Sequence, residues 1–350
     1  MKTWRRWFQG GRVVAAAGLA FCLVLGLGLV KTAQAQALPP ELTPGNPALQ
    51  QASDAVVGVA AIAVQGAPST ASLGQVRLGS GVVIGPEGLV LTIGYLILEA
   101  EQVALLTDDG KQIPARVVGY DVATGFGLLK ALVPLNLPVA PLGNPSATEA
   151  NDTLLIISGG ADAAISMARQ VSLRAFSGYW EYHLDHAVFT VPPRTDHSGA
   201  ALFNLRGELL GIGSLFVSDV LGPGQPALHG NMFVPVDLLK PILPELVRDG
   251  RSAQSRRAWM GANCIELEGE VRVLRISPTG PAEAAGLQVG DRIVRIDGEA
   301  VSTLDGLWHR LWAGTTEREV ALDILRDGRP MRVPLRTIDR QSAIKQPEGT

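Results

Sequence analysis

Histidine and cysteine are scarce in this 350-residue chain, and their placement is informative. There are five histidines, His183, His186, His197, His229 and His309, and none lies earlier than residue 183. The two cysteines are Cys22 and Cys264. Cys22 sits in an N-terminal apolar run, so a chain processed after that run keeps one thiol and no internal disulfide framework is possible. No Cys/His spacing matches a zinc or haem site, and neither a metal nor a cofactor is expected. Charged residues make up only 18% of the chain, the net charge is −3, and no basic tract stands out beyond the N-terminus. That balance argues against nucleic acid as a partner.

What is present points to β structure. Hydrophobic residues make up 47%, with 40 glycines and 23 prolines. Short apolar runs separated by turn residues favour an all-β architecture. Residues 1–37 read as a targeting segment. Lys2, Arg5, Arg6 and Arg12 precede an uncharged run from Val13 to Val30, and Ala33, Ala35 and Ala37 follow with A-x-A spacing. The run also reaches the ~18 residues of a spanning helix, so a cleaved signal peptide and a retained membrane anchor helix both fit, with the remainder exported.

Composition divides the rest. Residues 38–51 are a Pro-rich linker. From 52 to 245, β-type runs recur, among them Ala55–Val64, Gly81–Ile84, Gln102–Leu106, Thr153–Ile157 and Leu209–Leu215. Residues 246–257 read as a second, charged linker. Residues 258–338 return to strands around one helix candidate, Leu304–Trp312, and 339–350 read as a frayed polar tail.

The string SPTGPAEAAGLQVGDRIVRIDGEAV (277–301) closely resembles the core of a bacterial PDZ domain. Pro281 suits the first turn of a helix, Gly286 its left-handed end, and Asp297-Gly298 a tight hairpin turn. The resemblance implies that Trp259-Met260-Gly261-Ala262 is the carboxylate-binding loop, whose N–H groups capture a peptide C-terminus as the peptide adds a strand. Leu304, Leu307 and Leu311 share a helical face and either line the side-chain pocket or serve only as core.

Three further strings, GSGVVIGPEGLVLT (79–92), ARVVGYDVATGFGLLK (115–130) and SGAALFNLRGELLGIG (198–213), resemble the HtrA/Deg family of trypsin-like serine proteases. The implied fold is mainly β, a trypsin-like double six-stranded β-barrel followed by a PDZ domain. Serine-protease chemistry needs a nucleophile, a histidine base and an aspartate that orients it. By the resemblance Ser198 holds the nucleophile position. Tyr95 replaces the histidine, and a phenol of pKa about 10 is a poor base at neutral pH. Gly125 replaces the aspartate and offers no side chain. Asp196 replaces an oxyanion-hole glycine, restricting the backbone and bringing a carboxylate toward developing negative charge. His197 adjoins Ser198 but should point away from it.

These residues imply an exported, proteolytically inactive HtrA-like protein. It would bind peptides or protein C-termini through the PDZ domain, in the periplasm or anchored to the inner membrane, as a scaffold, regulator or chaperone-like binder. The alternative is an active endopeptidase using Ser198 with a non-standard base. A subunit role in an envelope complex is a third possibility. The family resemblance implies a homotrimer, yet residues 38–66 lack the Phe, Tyr or Trp that such contacts use.

Overall fold

The computed structural model describes residues 46–345. The expected targeting segment lies outside the described residues, and among those described no helix is long and apolar enough to cross a membrane.

Six strands form a first closed barrel: β1 (Val56–Ala63), β2 (Val76–Gly85), β3 (Leu89–Ile93), β4 (Ala100–Leu106), β5 (Gln112–Tyr120) and β6 (Phe126–Ala131), in the order β1-β2-β3-β6-β5-β4. Six more form a second: β7 (Thr153–Ser158), β8 (Ala164–Gly178), β9 (Tyr182–Val191), β10 (Ala201–Phe203), β11 (Leu209–Val217) and β12 (Gly230–Pro235), in the order β10-β11-β12-β9-β8-β7. Closure leaves no unpaired edge in either sheet. Inward residues such as Leu91, Phe126, Leu128 and Leu105 of the first barrel, and Phe189, Phe203 and Ile212 of the second, belong to one continuous core.

The C-terminal module comprises β13 (Ala258–Trp259), β14 (Ala262–Leu267), β15 (Glu270–Ile276), β16 (Arg292–Ile296), β17 (Glu299–Ala300), β18 (Glu319–Arg326), β19 (Arg329–Arg336) and β20 (Ile338–Asp339). Its main sheet runs β14-β15-β16-β18-β19, with β17 beside β16 and β13 paired with β20. A helical turn at Pro281–Ala284 carries proline in its first turn, and Gly286 follows at φ 74°. Asp297 and Gly298 both take positive φ, 53° and 85°, as a tight hairpin turn with two left-handed positions requires. Three labelled helices complete the frame: α1 (Pro47–Asp54), α2 (Leu243–Asp249) and α3 (Leu304–Trp312). In α3 the Thr303 hydroxyl caps the first turn by accepting from the Gly306 N–H.

Three expected boundaries differ. The first linker gives way to α1 at Pro47, where Asn46 caps the helix and Ala52 is buried. Residues 246–257 are not a loose linker. Leu246 is buried against the barrels, and Glu245 accepts hydrogen bonds from the Ser252 hydroxyl and the Ala253 N–H. The tail is pinned as far as Lys345, whose backbone N–H donates to Glu99 at 2.9 Å and whose ammonium donates to the Gln65 carbonyl. Polar composition suggested fraying, but side chains that satisfy these backbone groups hold the segments down.

Candidate functional site

Ser198 lies on the loop between β9 and β10. Its carbonyl accepts from the Ser80 N–H at 2.9 Å, which ties the nucleophile loop of the second barrel to β2 of the first. Gly199 follows at φ 74°, and a Cβ there would sit 2.0 Å from the Ser80 carbonyl oxygen, so only glycine fits.

Tyr95 comes from the helical turn Gly94–Ile97 after β3. Its phenol oxygen lies 2.9 Å from Ser198 Oγ and 2.8 Å from the Ser214 carbonyl. A carbonyl can only accept, so the single phenol proton goes to Ser214, and the Ser198 hydroxyl proton turns to the phenol oxygen. Burial pushes the Tyr95 pKa up to about 12, against a smaller lowering by the Ser198 hydrogen bond. At neutral pH the group facing Ser198 is therefore a neutral phenol that cannot take up a proton.

Gly125, in the β5–β6 turn, stands beside this pair. Its carbonyl accepts from the Gly94 N–H at 2.7 Å. Its φ is 80°, and an added Cβ would lie 3.3 Å from the Tyr182 hydroxyl. That hydroxyl donates to the Thr124 carbonyl at 2.6 Å. Tyr182 thus fills the space beside Gly125, backed by Trp180 stacked at 5.5 Å. The nearby Asp121 is buried and spends one oxygen on the Thr124 N–H and hydroxyl.

The oxyanion side departs from the expectation in one respect. Asp196 does not point a free carboxylate at Ser198. It is paired with Arg194 and accepts from the Ser158 hydroxyl at 2.6 Å. Burial raises its pKa, but the Arg194 and Ser158 hydrogen bonds and the Arg194 charge outweigh that and hold it below the ordinary range. Asp196 is not among the residues with positive φ. As expected, His197 turns away from Ser198: its Nδ1 lies 3.0 Å from the Arg194 carbonyl, and burial lowers its pKa. Among the described residues no histidine hydrogen-bonds Ser198.

The loop Trp259–Ala262 lies at the start of the C-terminal module. Gly261 takes φ 79°, and the N–H groups of Met260, Gly261 and Ala262 converge on a single acceptor. That acceptor is the carboxylate of Glu181, from the β8–β9 hairpin tip, at 3.1, 2.8 and 3.1 Å. Two more bonds hold the tip. The Cys264 N–H donates to the Tyr179 carbonyl at 2.8 Å, and the Trp308 indole donates to the Gly178 carbonyl at 3.0 Å. Leu307 and Leu311 are fully buried and Leu304 is 8% exposed, all within the module's core.

Glu181 and Trp308 were not singled out from the sequence. The available signal was four aromatic residues within positions 176–182, Phe176, Tyr179, Trp180 and Tyr182, flanking one acid in a chain otherwise poor in aromatics. The fold also gathers His183, Asp305 and His309 at this seam, with Asp305 2.9 Å from His309 and 3.3 Å from His183.

Burial raises the Glu181 pKa to about 7, against lowering by the Arg340 charge and the three loop N–H groups. The titratable groups facing it are Arg340 and the buried Cys264 thiol. A carboxyl whose folded pKa exceeds its unfolded value contributes stability that is full below about 4.5 and lost as pH climbs through about 7. Wild type is therefore expected to lose roughly 3 kcal/mol relative to Glu181→Gln between pH 4.5 and 8. Paired thermal melts across that range check it; parallel curves would contradict it.

The twin barrels, with a serine in the seam between them and a PDZ-type module after them, define a trypsin-like peptidase fold with an appended peptide-binding domain. The trypsin-like peptidase domain family matches residues 79–212 and the PDZ domain family residues 258–337. A periplasmic serine endoprotease DegP-like protein of Pseudomonas putida (strain GB-1) is 26% identical over 357 residues, covering 88% of this chain and 72% of that protein. Serine endoprotease DegS of Haemophilus influenzae is 26% identical over 266 residues, covering 74% and 76%. Among solved structures, the HtrA-type protease AlgW with a tripeptide superposes with a TM-score of 0.52 at 21% identity, covering 86% of this chain and 98% of that one. The serine endoprotease from Yersinia pestis gives 0.51 at 26% identity, covering 83% and 96%. The chain belongs to the HtrA/Deg family.

Proposed function

We propose that this protein is an exported HtrA-like pseudoprotease whose working site is the PDZ groove, which captures carboxylate-bearing peptides or protein C-termini. The observation that carries the inactive reading is the neutral Tyr95 phenol hydrogen-bonded to Ser198, with no carboxylate at Gly125 to orient a base. The retained Ser198 favours the alternative, an active endopeptidase. That reading needs a base, and the side chain at hydrogen-bond distance is a phenol held above its ordinary pKa.

The peptide-binding reading is supported by three convergent N–H groups that already hold a carboxylate, the chemistry required for a C-terminus. The relatives are named periplasmic, which supports a periplasmic location, tethered if residues 1–37 stay attached. The role is that of a scaffold, regulator or chaperone-like binder, alone, as a homotrimer or within an envelope complex.

The test is a binding titration with a fluorescent peptide. The full chain and its Ser198→Ala variant are expected to bind a peptide with a free C-terminal carboxylate equally, and both to lose binding when that carboxylate is amidated. Equal binding of the amide, or cleavage of the peptide by wild type alone, contradicts the reading.

A further inference from the structure

We propose that the PDZ groove carries its own ligand: the hairpin tip Gly178–Glu181 occupies it as the end of a bound peptide would, with the Glu181 side chain seated where a C-terminal carboxylate is captured. The inference rests on the reading of this groove as a carboxylate-capturing site, and it says what fills that site at rest.

Strand β14 is the edge of the main sheet. An extended peptide recognised at such an edge adds a strand. The tip does this. The Tyr179 carbonyl accepts from Cys264, and two residues later Glu181 accepts from Gly261 and Ala262. From Tyr179 to the Glu181 side chain the contacts run from Cys264 back toward the loop, the direction an antiparallel peptide would take. The Trp308 indole of α3, on the other wall of the groove, donates to Gly178 one residue further back. Backbone contacts on one wall, a side-chain donor on the other and a carboxylate in the loop together reproduce a peptide's engagement.

The difference is that the chain continues. Glu181 takes φ 57°, an uncommon conformation for a residue with a Cβ. That geometry turns the backbone away into β9 while its side chain reaches the loop. Arg340 donates to the Glu181 carbonyl and holds the turn from behind. Glu181 as a whole is 2% exposed, so solvent has little access to it.

An outside carboxylate must therefore displace a group that is tethered in place and competes at high effective concentration. Apparent affinity is the intrinsic affinity multiplied by the fraction of molecules in which the tip has lifted out. The groove accepts an acidic side chain at an internal turn, so its ligand chemistry extends beyond free C-termini.

Two measurements on the full chain test this. The first is amide hydrogen exchange at Met260, Gly261 and Ala262 without added peptide. The second is binding of a fluorescein-labelled peptide RAFSGYWA, residues 174–180 followed by alanine with a free carboxylate. Wild type is expected to protect the three amides, and Glu181→Ala to lose that protection and bind the peptide at least tenfold more tightly. Glu181→Gln keeps the side-chain volume and serves if the alanine variant does not fold, with weaker protection and tighter binding than wild type expected. Free exchange of the three amides in wild type, or equal peptide affinity in wild type and variant, overturns the proposal. Protection that depends on Glu181, with no peptide binding by either protein, leaves the internal ligand standing and removes the peptide-capture reading instead.

Discussion

Installing histidine at Tyr95 and aspartate at Gly125 together is expected to leave hydrolysis of unfolded casein within about tenfold of background. A complete triad is worth roughly 10⁴- to 10⁶-fold in turnover in well-studied serine proteases, so a true restoration would be unmistakable. The local structure opposes it. The backbone at Gly125 sits at φ 80°, a region that L-residues with side chains rarely adopt, so aspartate there begins strained. Its Cβ would already lie 3.3 Å from the Tyr182 hydroxyl, and the carboxylate beyond it would have to displace a buried ring packed against Trp180. The oxyanion side is also altered. Asp196 is locked to Arg194 and Ser158 where the family has glycine, and nothing in the double variant releases it. A gain of a thousandfold or more in casein cleavage would mean that these surrounding changes are tolerated and that only two side chains separate this chain from an active enzyme.

Trp308→Ala is expected to cost about 3–5 kcal/mol, the range for removing a large buried aromatic side chain. Trp308 is fully buried and belongs to the core of the C-terminal module. It also donates to Gly178, so its loss strands a carbonyl at the seam with the second barrel. Trp308→Phe keeps most of the volume and loses only the donor, and should cost well under half as much. Denaturant melts of both variants separate packing from hydrogen bonding. A cost below about 1 kcal/mol for the alanine variant would place the residue outside the cooperative core.

The fold was readable because its signals are local. Gly286, Asp297 and Gly298 are demanded by backbone conformations that few other residues adopt, and the structure places all three at positive φ. The helix Leu304–Trp312 follows from its apolar spacing, and the structure adds a Thr303 cap. The pairing of Tyr95 with Ser198, 103 residues apart, came from family motifs and not from any pattern in the chain itself. Segment boundaries were less legible. The charged stretch 246–257 and the polar tail read as loose because composition does not reveal that Glu245 and Glu99 satisfy those backbones, or that Arg340 of the tail reaches the Glu181 carbonyl.

The least legible feature was Glu181. An acid at a hairpin tip is ordinarily solvated, and only the docking of that tip against Met260–Ala262 gives it a role. The barrels and the PDZ module are parts of one compact unit. The docked tip also changes what peptide binding means here, because an incoming carboxylate meets an occupied loop.

The most direct test of the account is labelling of the full chain with a fluorophosphonate probe, run beside Ser198→Ala and alongside incubation with unfolded casein. The probe reacts with a serine whose proton can be removed, which the neutral Tyr95 phenol does not do. The account predicts no labelling and no cleavage above the Ser198→Ala control. Labelling or cleavage that depends on Ser198 would contradict it, and would mean that a base other than a histidine activates that serine.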